Sequence, residues 1–367
     1  MTFWMTNWAR RLIALALVCS TATATAGSVT AVGLTELPRS GDNGPVTVFY
    51  PSETTAQTVH RGPFSFELAW QGEPQRGNGR LVVISHGSGG GPWVHANLAQ
   101  ALVRAGYVVA FPEHQGDNHK DPSTPGPASW KRRPAEVSHA IDAVAADPRF
   151  AALLQFDRVG MYGMSAGGHT ALSLAGGVWS PIGFKQHCDA ALKEDFYACV
   201  GLATHDREGA WGAFKRGVAK LVIDLRFRDD TRYTHTDPRI AAIAAAVPFA
   251  ADFDPATLSA PRVPLALLTA GHDRWLVPVF HGQRILAACS SCVHLADLRE
   301  AGHGAYLSPP PPALNGLEAE LLDDPQGFDR RQLAEIDQRV VSFFNRYLSP
   351  EKAPEKTSGE AVKPRAS

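Results

Sequence analysis

The residues best placed to do chemistry lie at 163–167, Gly-Met-Ser-Ala-Gly, where Ser165 has a glycine two residues away on each side. An apolar run typical of a β-strand comes before this pentapeptide, and a helix-like segment at 168–175 follows it. A serine on a sharp strand-to-helix turn has a strained backbone, and the glycines remove Cβ atoms that would collide there. The pattern predicts a nucleophilic serine, with an ordinary structural turn as the alternative.

A nucleophilic serine needs an imidazole to take its proton and an acid to orient that imidazole. On such a turn the expected chain order is serine, acid, histidine. Asp273 and His303 fit this order, because each follows a predicted strand and His303 lies between glycines. Asp252 and Asp254 stay open as alternatives for the acid, and His272 is read as a surface residue or a neighbour of the acid.

The glycine-rich segment 85–91, Ser-His-Gly-Ser-Gly-Gly-Gly, follows the first predicted core strand. Its backbone amides could meet the amide of Ala166 and bind an oxyanion, with Ser88 as the first donor. A phosphate-binding loop is the alternative, but the G-x-x-x-x-G-K-[ST] spacing is missing and no lysine is near.

Composition favours one large α/β domain. The chain has 367 residues, 44% of them hydrophobic and 19% charged, and a formal net charge of −1. Such a chain can bury a large core, and its near-neutral charge gives no general attraction to nucleic acid or anionic membranes. A small neutral or weakly charged substrate is expected, and the oligomeric state stays open.

The N-terminus has the pattern of a secretory signal peptide. Two arginines precede the apolar run 12–18, and the A-x-A sequence ending at Ala26 predicts cleavage there. The apolar run is too short for a membrane anchor, so a secreted or periplasmic protein is expected, with twin-arginine export as a less well-matched route.

Four cysteines follow the predicted signal peptide. Because their number is even and the compartment is oxidising, two disulfides are expected, and proximity favours Cys188 with Cys199 and Cys289 with Cys292. Zinc at Cys289 and Cys292, with His294 near, is the alternative, but a second C-x-x-C is missing.

Apolar runs alternate with helical segments from about residue 80 onward, which predicts a mostly parallel central sheet flanked by helices. Predicted core strands are 81–85, 107–111, 159–162, 244–249, 265–270 and 293–298; antiparallel edge strands are 45–50 and 64–68; helices are 94–105, 134–145 and 329–347.

The predicted domain spans 27–348, after a signal peptide at 1–26. Residues 176–239 break the alternation and are interpreted as a cap-like insertion, with ordinary surface helices as the alternative. The tail 349–367 is rich in Pro, Lys, Glu and Ser and is expected to be disordered.

From about 45 to 347 the chain resembles the α/β-hydrolase superfamily, and more narrowly the dienelactone-hydrolase-like and platelet-activating-factor-acetylhydrolase-like esterases. The resemblance rests on Pro-Val-Thr-Val-Phe-Tyr-Pro at 45–51, the loop at 85–87, Gly-Tyr-Val-Val-Ala at 106–110, the serine turn, and the Gly-His-Asp and Gly-His loops. It implies the α/β-hydrolase fold and a serine esterase without a cofactor or metal. Dienelactone hydrolases use cysteine where this chain has Ser165, which favours simple carboxylic esters over lactones.

The resemblance also implies that Glu113 and His114 border the substrate pocket. A metal held by His114, Asp117, His119 and Asp121 is the alternative to a polar surface loop here. Two other activities stay open: a peptidase of the prolyl-oligopeptidase type, for which the extra domain is missing, and a non-catalytic binding protein, which would be expected to lack part of the triad.

Overall fold

The computed structural model describes residues 31–41, 43–312 and 314–349. The predicted signal peptide and all but the first residue of the predicted tail lie outside these ranges. Twelve strands lie within them: β1 Ala31–Leu37, β2 Val46–Ser52, β3 Gln57–Arg61, β4 Phe64–Trp70, β5 Leu81–Ser85, β6 Val108–Pro112, β7 Val159–Met164, β8 Val178–Trp179, β9 Ile240–Ala246, β10 Phe253–Asp254, β11 Leu265–Ala270 and β12 Val293–Leu298.

Ten α-helices accompany the strands in the same ranges: α1 Ala96–Arg104, α2 Pro127–Ala146, α3 Pro148–Ala151, α4 Ala166–Leu174, α5 Pro181–Ala191, α6 Phe196–Val200, α7 Gly209–Arg226, α8 Gly282–Ala288, α9 Gly316–Leu322 and α10 Leu333–Leu348. In this part of the chain we find no helix with the length and apolar character needed to cross a bilayer.

The large sheet has the order β12-β11-β9-β7-β5-β6-β2-β1-β4-β3. The first six strands in this order are parallel, β2 pairs antiparallel with β6 and β1, and β3 and β4 form a hairpin. The prediction of a mostly parallel α/β sheet is therefore confirmed, but the two predicted edge strands, β2 and β4, are interior strands, and β1 and β3 were not predicted.

Helices cover both faces of the sheet, which explains the uninterrupted apolar strands. Along β5, Val82 and Ile84 point into the core layer that contains α1 and α10, whereas Leu81 and Val83 point into the layer that contains α2 and α4. A strand covered on both faces has no polar side.

Two of the predicted boundaries that were wrong lie at a proline. β9 ends at Ala246 because Val247 has a positive φ of 36° and Pro248 lacks an amide proton. Pro134 lies inside α2, which begins at Pro127, seven residues before the predicted start. The alanine-rich run 240–246 has weak strand propensity, which is why its first half was missed.

Residues 176–239 form helices α5, α6 and α7 and the short strand β8. Phe196 and Tyr197 of this insertion pack with Leu317, Leu321 and Trp275, next to the loop after β11. Helix α7, the longest within residues 176–239, exposes an apolar stripe of Trp211, Phe214, Val218, Leu221, Val222 and Leu225.

Both predicted disulfides are confirmed, Cys188–Cys199 within the insertion and Cys289–Cys292 before β12. Because the sulfurs of Cys289 and Cys292 are bonded to each other, they do not form the zinc site considered as an alternative. The nearby His294 pairs its Nε2 with the hydroxyl of Thr269 at 2.8 Å. Two disulfides fit an oxidising compartment.

Candidate active site

The turn after β7 holds Ser165 in a conformation that few side chains adopt, with φ 59° and ψ −116°. A Cβ added to Gly167 would lie 1.9 Å from the carbonyl oxygen of Ser85, and one added to Gly163 would lie 1.9 Å from the carbonyl oxygen of Gly167. Gly167 is therefore required for the turn to pass this close to β5, and Gly163 for the turn to pass this close to the first residues of α4. Helix α4 begins directly after the serine, so its free N-terminal amides lie beside it.

Ser165, His303 and Asp273 meet at the carboxyl ends of the parallel strands. The imidazole Nε2 of His303 is 2.9 Å from Ser165 Oγ, and its Nδ1 is 2.7 Å from Asp273 Oδ2. The carboxylate fixes the proton on Nδ1, which leaves Nε2 free to accept the serine proton. The histidine and the aspartate are buried, whereas Ser165 is partly exposed.

The second carboxylate oxygen of Asp273 accepts hydrogen bonds from the amides of Trp275 (2.9 Å) and Leu276 (2.8 Å). The carboxylate thus has a fixed orientation. The indole of Trp275 lies 5.4 Å from the His303 ring, measured between centroids, and covers it on the side of the insertion.

The alternative acids are engaged elsewhere. Asp252 Oδ2 lies 3.1 Å from His169 Nε2 in a buried aromatic pocket, and Asp254 pairs with Arg232 at 3.0 Å. His272 is exposed. Of the three candidate acids, Asp273 is the one that contacts His303.

The glycine-rich loop after β5 lies against the serine turn. A Cβ placed on Gly87 would be 3.4 Å from Ser165 Cβ. The side chain of Ser88 faces the other way, where its hydroxyl donates to Asp117 Oδ1 at 2.5 Å. The amide of Ala166 is the first of α4 and has no intrahelical acceptor. This arrangement can place the backbone amides of the glycine-rich loop and of Ala166 near Ser165 Oγ.

His114 and Glu113 do not share a pocket wall. His114 is fully buried: its Nε2 lies 2.7 Å from Ser85 Oγ and its Nδ1 lies 2.6 Å from Glu136 Oε2. Glu113 turns outward and pairs with Lys120 at 2.5 Å. Both ring nitrogens of His114 are engaged inside the protein, so neither is free to bind a substrate in this arrangement. Burial lowers the pKa of His114 well below its ordinary value.

The metal considered at 114–121 is also not supported by the geometry. Asp117 pairs with Arg133, and Asp121 Oδ1 accepts a hydrogen bond from the amide of Ser123 at 3.2 Å. Within the described residues, the ligand atoms of 114–121 do not come together as a group that could hold a metal ion. The segment 114–121 is therefore a loop in which His114 and Asp117 are buried and Asp121 is exposed.

Sequence reasoning missed a group that we call the His–Asp–His cluster: His187, Asp195 and His281. Both imidazole Nε2 atoms lie within 2.9 Å of Asp195 Oδ2, so the three residues could face a metal ion. However, His281 Nδ1 accepts the amide proton of Ala250 at 3.0 Å, so in the neutral ring Nε2 carries the proton and donates to Asp195. A metal ligand needs a free lone pair at that atom, so these bonds favour a hydrogen-bonded cluster over a metal site.

Asp195 also accepts the amide of Val277 at 3.1 Å. The His–Asp–His cluster therefore connects residues 176–239, through Asp195, to the loop that carries Asp273. Burial opposes the charge on Asp195, but the hydrogen bonds from the two histidines outweigh it and lower the pKa to about 2.

The fold and site together define an α/β protein with a serine, a histidine and an aspartate aligned at the carboxyl edge of a mostly parallel sheet, an architecture compatible with the α/β-hydrolases. A scan against protein-family models finds no match to the chain, and a search of curated proteins finds none either.

Proposed function

We propose that this protein is an exported serine hydrolase of the α/β-hydrolase superfamily that cleaves carboxylic esters through an acyl-serine intermediate. One observation carries the proposal: the imidazole of His303 lies between Ser165 Oγ (2.9 Å) and the Asp273 carboxylate (2.7 Å), and Ser165 itself lies on a strained turn. Resemblance to dienelactone-hydrolase-like and platelet-activating-factor-acetylhydrolase-like esterases, together with the serine nucleophile, favours a simple ester as the substrate.

In the proposed mechanism, His303 Nε2 takes the proton of Ser165 as Oγ attacks the ester carbonyl. The amides of Ser88 and Ala166 bind the resulting oxyanion, and Asp273 stabilises the imidazolium. His303 then gives the proton to the leaving alcohol. Water, deprotonated by the same imidazole, hydrolyses the acyl-serine and releases the acid, so the reaction needs no cofactor.

The test is labelling with a fluorophosphonate probe, followed by a screen of p-nitrophenyl esters from acetate to palmitate. We expect an adduct on Ser165 and ester turnover that Ser165→Ala lowers on the order of 10⁶-fold. Retention of most esterase activity in Ser165→Ala would refute the assignment. Absence of an adduct would favour a binding protein, and an adduct with turnover of peptides alone would favour a peptidase.

A further inference from the structure

A fully buried ion pair lies beneath the glycine-rich loop 86–89. Arg133 of α2 pairs with Asp117 at 2.9 Å, and neither side chain has exposed surface. A buried ion pair seldom adds to stability by itself, because both charges lose their hydration. Its hydrogen bonds to neighbouring groups are therefore the place to look for its role.

The pair makes contact with every residue of the loop. Asp117 Oδ1 accepts the hydroxyl proton of Ser88 (2.5 Å) and the amide of Gly89 (3.0 Å). Arg133 donates to the carbonyl oxygens of His86 (2.5 Å) and Gly87 (3.4 Å). A loop with so many glycines has little preferred conformation of its own, so these bonds define its shape.

The orientation of the Ser88 amide follows from the carbonyl of Gly87, which belongs to the same peptide plane. That carbonyl accepts three donors: His86 Nδ1 at 2.8 Å, the Gly90 amide at 3.1 Å and Arg133 Nη2. In a trans peptide the C=O and N–H point in opposite directions. With the carbonyl held on the Arg133 side, the Ser88 N–H points to the opposite side of the loop.

His86 is suited to this contact because it stays neutral. Burial, together with the nearby His114 and Arg133, lowers its pKa well below the ordinary value. Its Nδ1 then carries the ring proton and donates the hydrogen bond that the carbonyl oxygen of Gly87 accepts. The peptide plane is thus held by groups whose charge does not change near neutral pH.

The charge of Arg133 matters as much as its donors. An unpaired carboxylate at Asp117 would contact the side chain of Ser88, the residue of the proposed oxyanion donor, and would repel the charge that develops in the transition state. The guanidinium neutralises it. The pair can therefore fix the loop without opposing the reaction.

We propose that Asp117 and Arg133 are positioning residues that hold the Ser88 amide in the geometry of an oxyanion hole. This inference rests on the proposed function of Ser165. It assigns a role in rate to two residues that lie behind the loop, where they touch no substrate.

The experiment compares Asp117→Asn and Ser88→Ala with a control, Asp121→Asn. Asp121 is an exposed carboxylate in the loop after β6, the loop that also carries Asp117. For each variant we would measure kcat and KM on a p-nitrophenyl ester and the Ki of a trifluoromethyl ketone, whose adduct with Ser165 carries an oxyanion. The ketone responds to the geometry of the hole in folded molecules, which a loss of stability alone would not change.

We expect Asp117→Asn to lower kcat roughly ten- to hundredfold with KM nearly unchanged, somewhat less than the loss of a whole oxyanion donor. The Ki of the ketone should rise by a similar factor. Ser88→Ala keeps the amide and removes only the hydroxyl tether, so a smaller loss in the same two quantities is expected. The control should match the wild type.

Unchanged kcat and Ki in a folded Asp117→Asn would overturn the proposal, as would a loss in kcat without a rise in Ki. If Asp117→Asn does not fold, Ser88→Ala decides by the same two readings. Failure of the proposed function looks different, because Ser165→Ala would then keep its activity while the wild type would show no ketone inhibition.

Discussion

Replacing Asp273 by Asn tests the role of the carboxylate with almost no change in shape. In the wild type, Oδ1 of Asp273 accepts two backbone amides and Oδ2 faces His303 Nδ1. An asparagine keeps the two amide bonds only if its oxygen occupies the Oδ1 position. Its NH₂ group then faces His303, and since that group donates, Nδ1 must become the acceptor.

The proton of the neutral imidazole consequently moves to Nε2, the atom that lies 2.9 Å from Ser165 Oγ. A protonated Nε2 cannot accept the serine proton, so Asp273→Asn should lower kcat roughly 10⁴-fold, or about 5 kcal/mol in the activation barrier. The matched control is Asp252→Asn, which changes a second buried His–Asp pair, Asp252 with His169, and leaves Asp273 and His303 in place.

The assay is the steady-state rate on a p-nitrophenyl ester, with thermal unfolding to confirm that both variants fold. We expect the Asp273 variant to keep its KM, because substrate contacts are unchanged, and the Asp252 variant to keep kcat within about tenfold. Equal losses in the two folded variants, or a large loss confined to the Asp252 variant, would show that the acid has been misassigned.

Three further predictions concern stability, the serine turn and metal. Burial raises the pKa of Asp337 to about 7 in the native state, whereas in the unfolded chain its pKa is about 4. Between pH 4 and pH 7 the native state therefore binds a proton that the unfolded state has lost, and the stability of the protein falls as the pH rises. Asp337→Asn should therefore stabilise the protein by about 1–3 kcal/mol at pH 8 and far less at pH 5 in urea unfolding; an equal gain at both pH values contradicts this origin. Gly167→Ala should abolish probe labelling, because its Cβ meets the Ser85 carbonyl, whereas the control Gly217→Ala, whose Cβ meets nothing within 4 Å, should label normally. Dialysis against EDTA should leave the Tm unchanged, since the His–Asp–His cluster is satisfied by hydrogen bonds; a Tm restored by added zinc would refute that assignment.

Ser165 and His303 could be placed from sequence because their signals are local, and Asp273 could be placed as one of the candidate acids. Ser165 lies in a glycine-framed turn, and Asp273 and His303 each follow an apolar run that becomes a strand of the parallel sheet. Carboxyl ends of parallel strands meet at one edge, so correct strands bring these side chains together. The choice between Asp273 and Asp252 was not local, because it depends on which carboxylate the loops turn toward His303.

Burial of the loop after β6 could not be read from the sequence in the same way. His114 and Asp117 are polar residues in a connection between elements, a pattern that ordinarily indicates a surface loop. They are buried because Glu136 and Arg133 of α2 supply partners for them. A polar residue's partner, often distant in the chain, decides whether it can be buried, and no periodicity reports it.

The failure to foresee Arg133 behind the glycine-rich loop follows from the error at the start of α2. Proline is common in the first turn of a helix and disfavoured in its interior, so the sequence predicts that the helix begins at Pro134. The helix in fact begins at Pro127, and its first part contains both Ser129 and Arg133. The hydroxyl of Ser129 accepts a hydrogen bond from Arg133 Nε at 2.9 Å. An interior proline loses a helical hydrogen bond and strains the preceding turn, which disfavours the helix by about 3 kcal/mol. A helix that keeps one here must be held by tertiary contacts, and the buried bonds of Arg133 to the loop beside Ser165 are among those contacts.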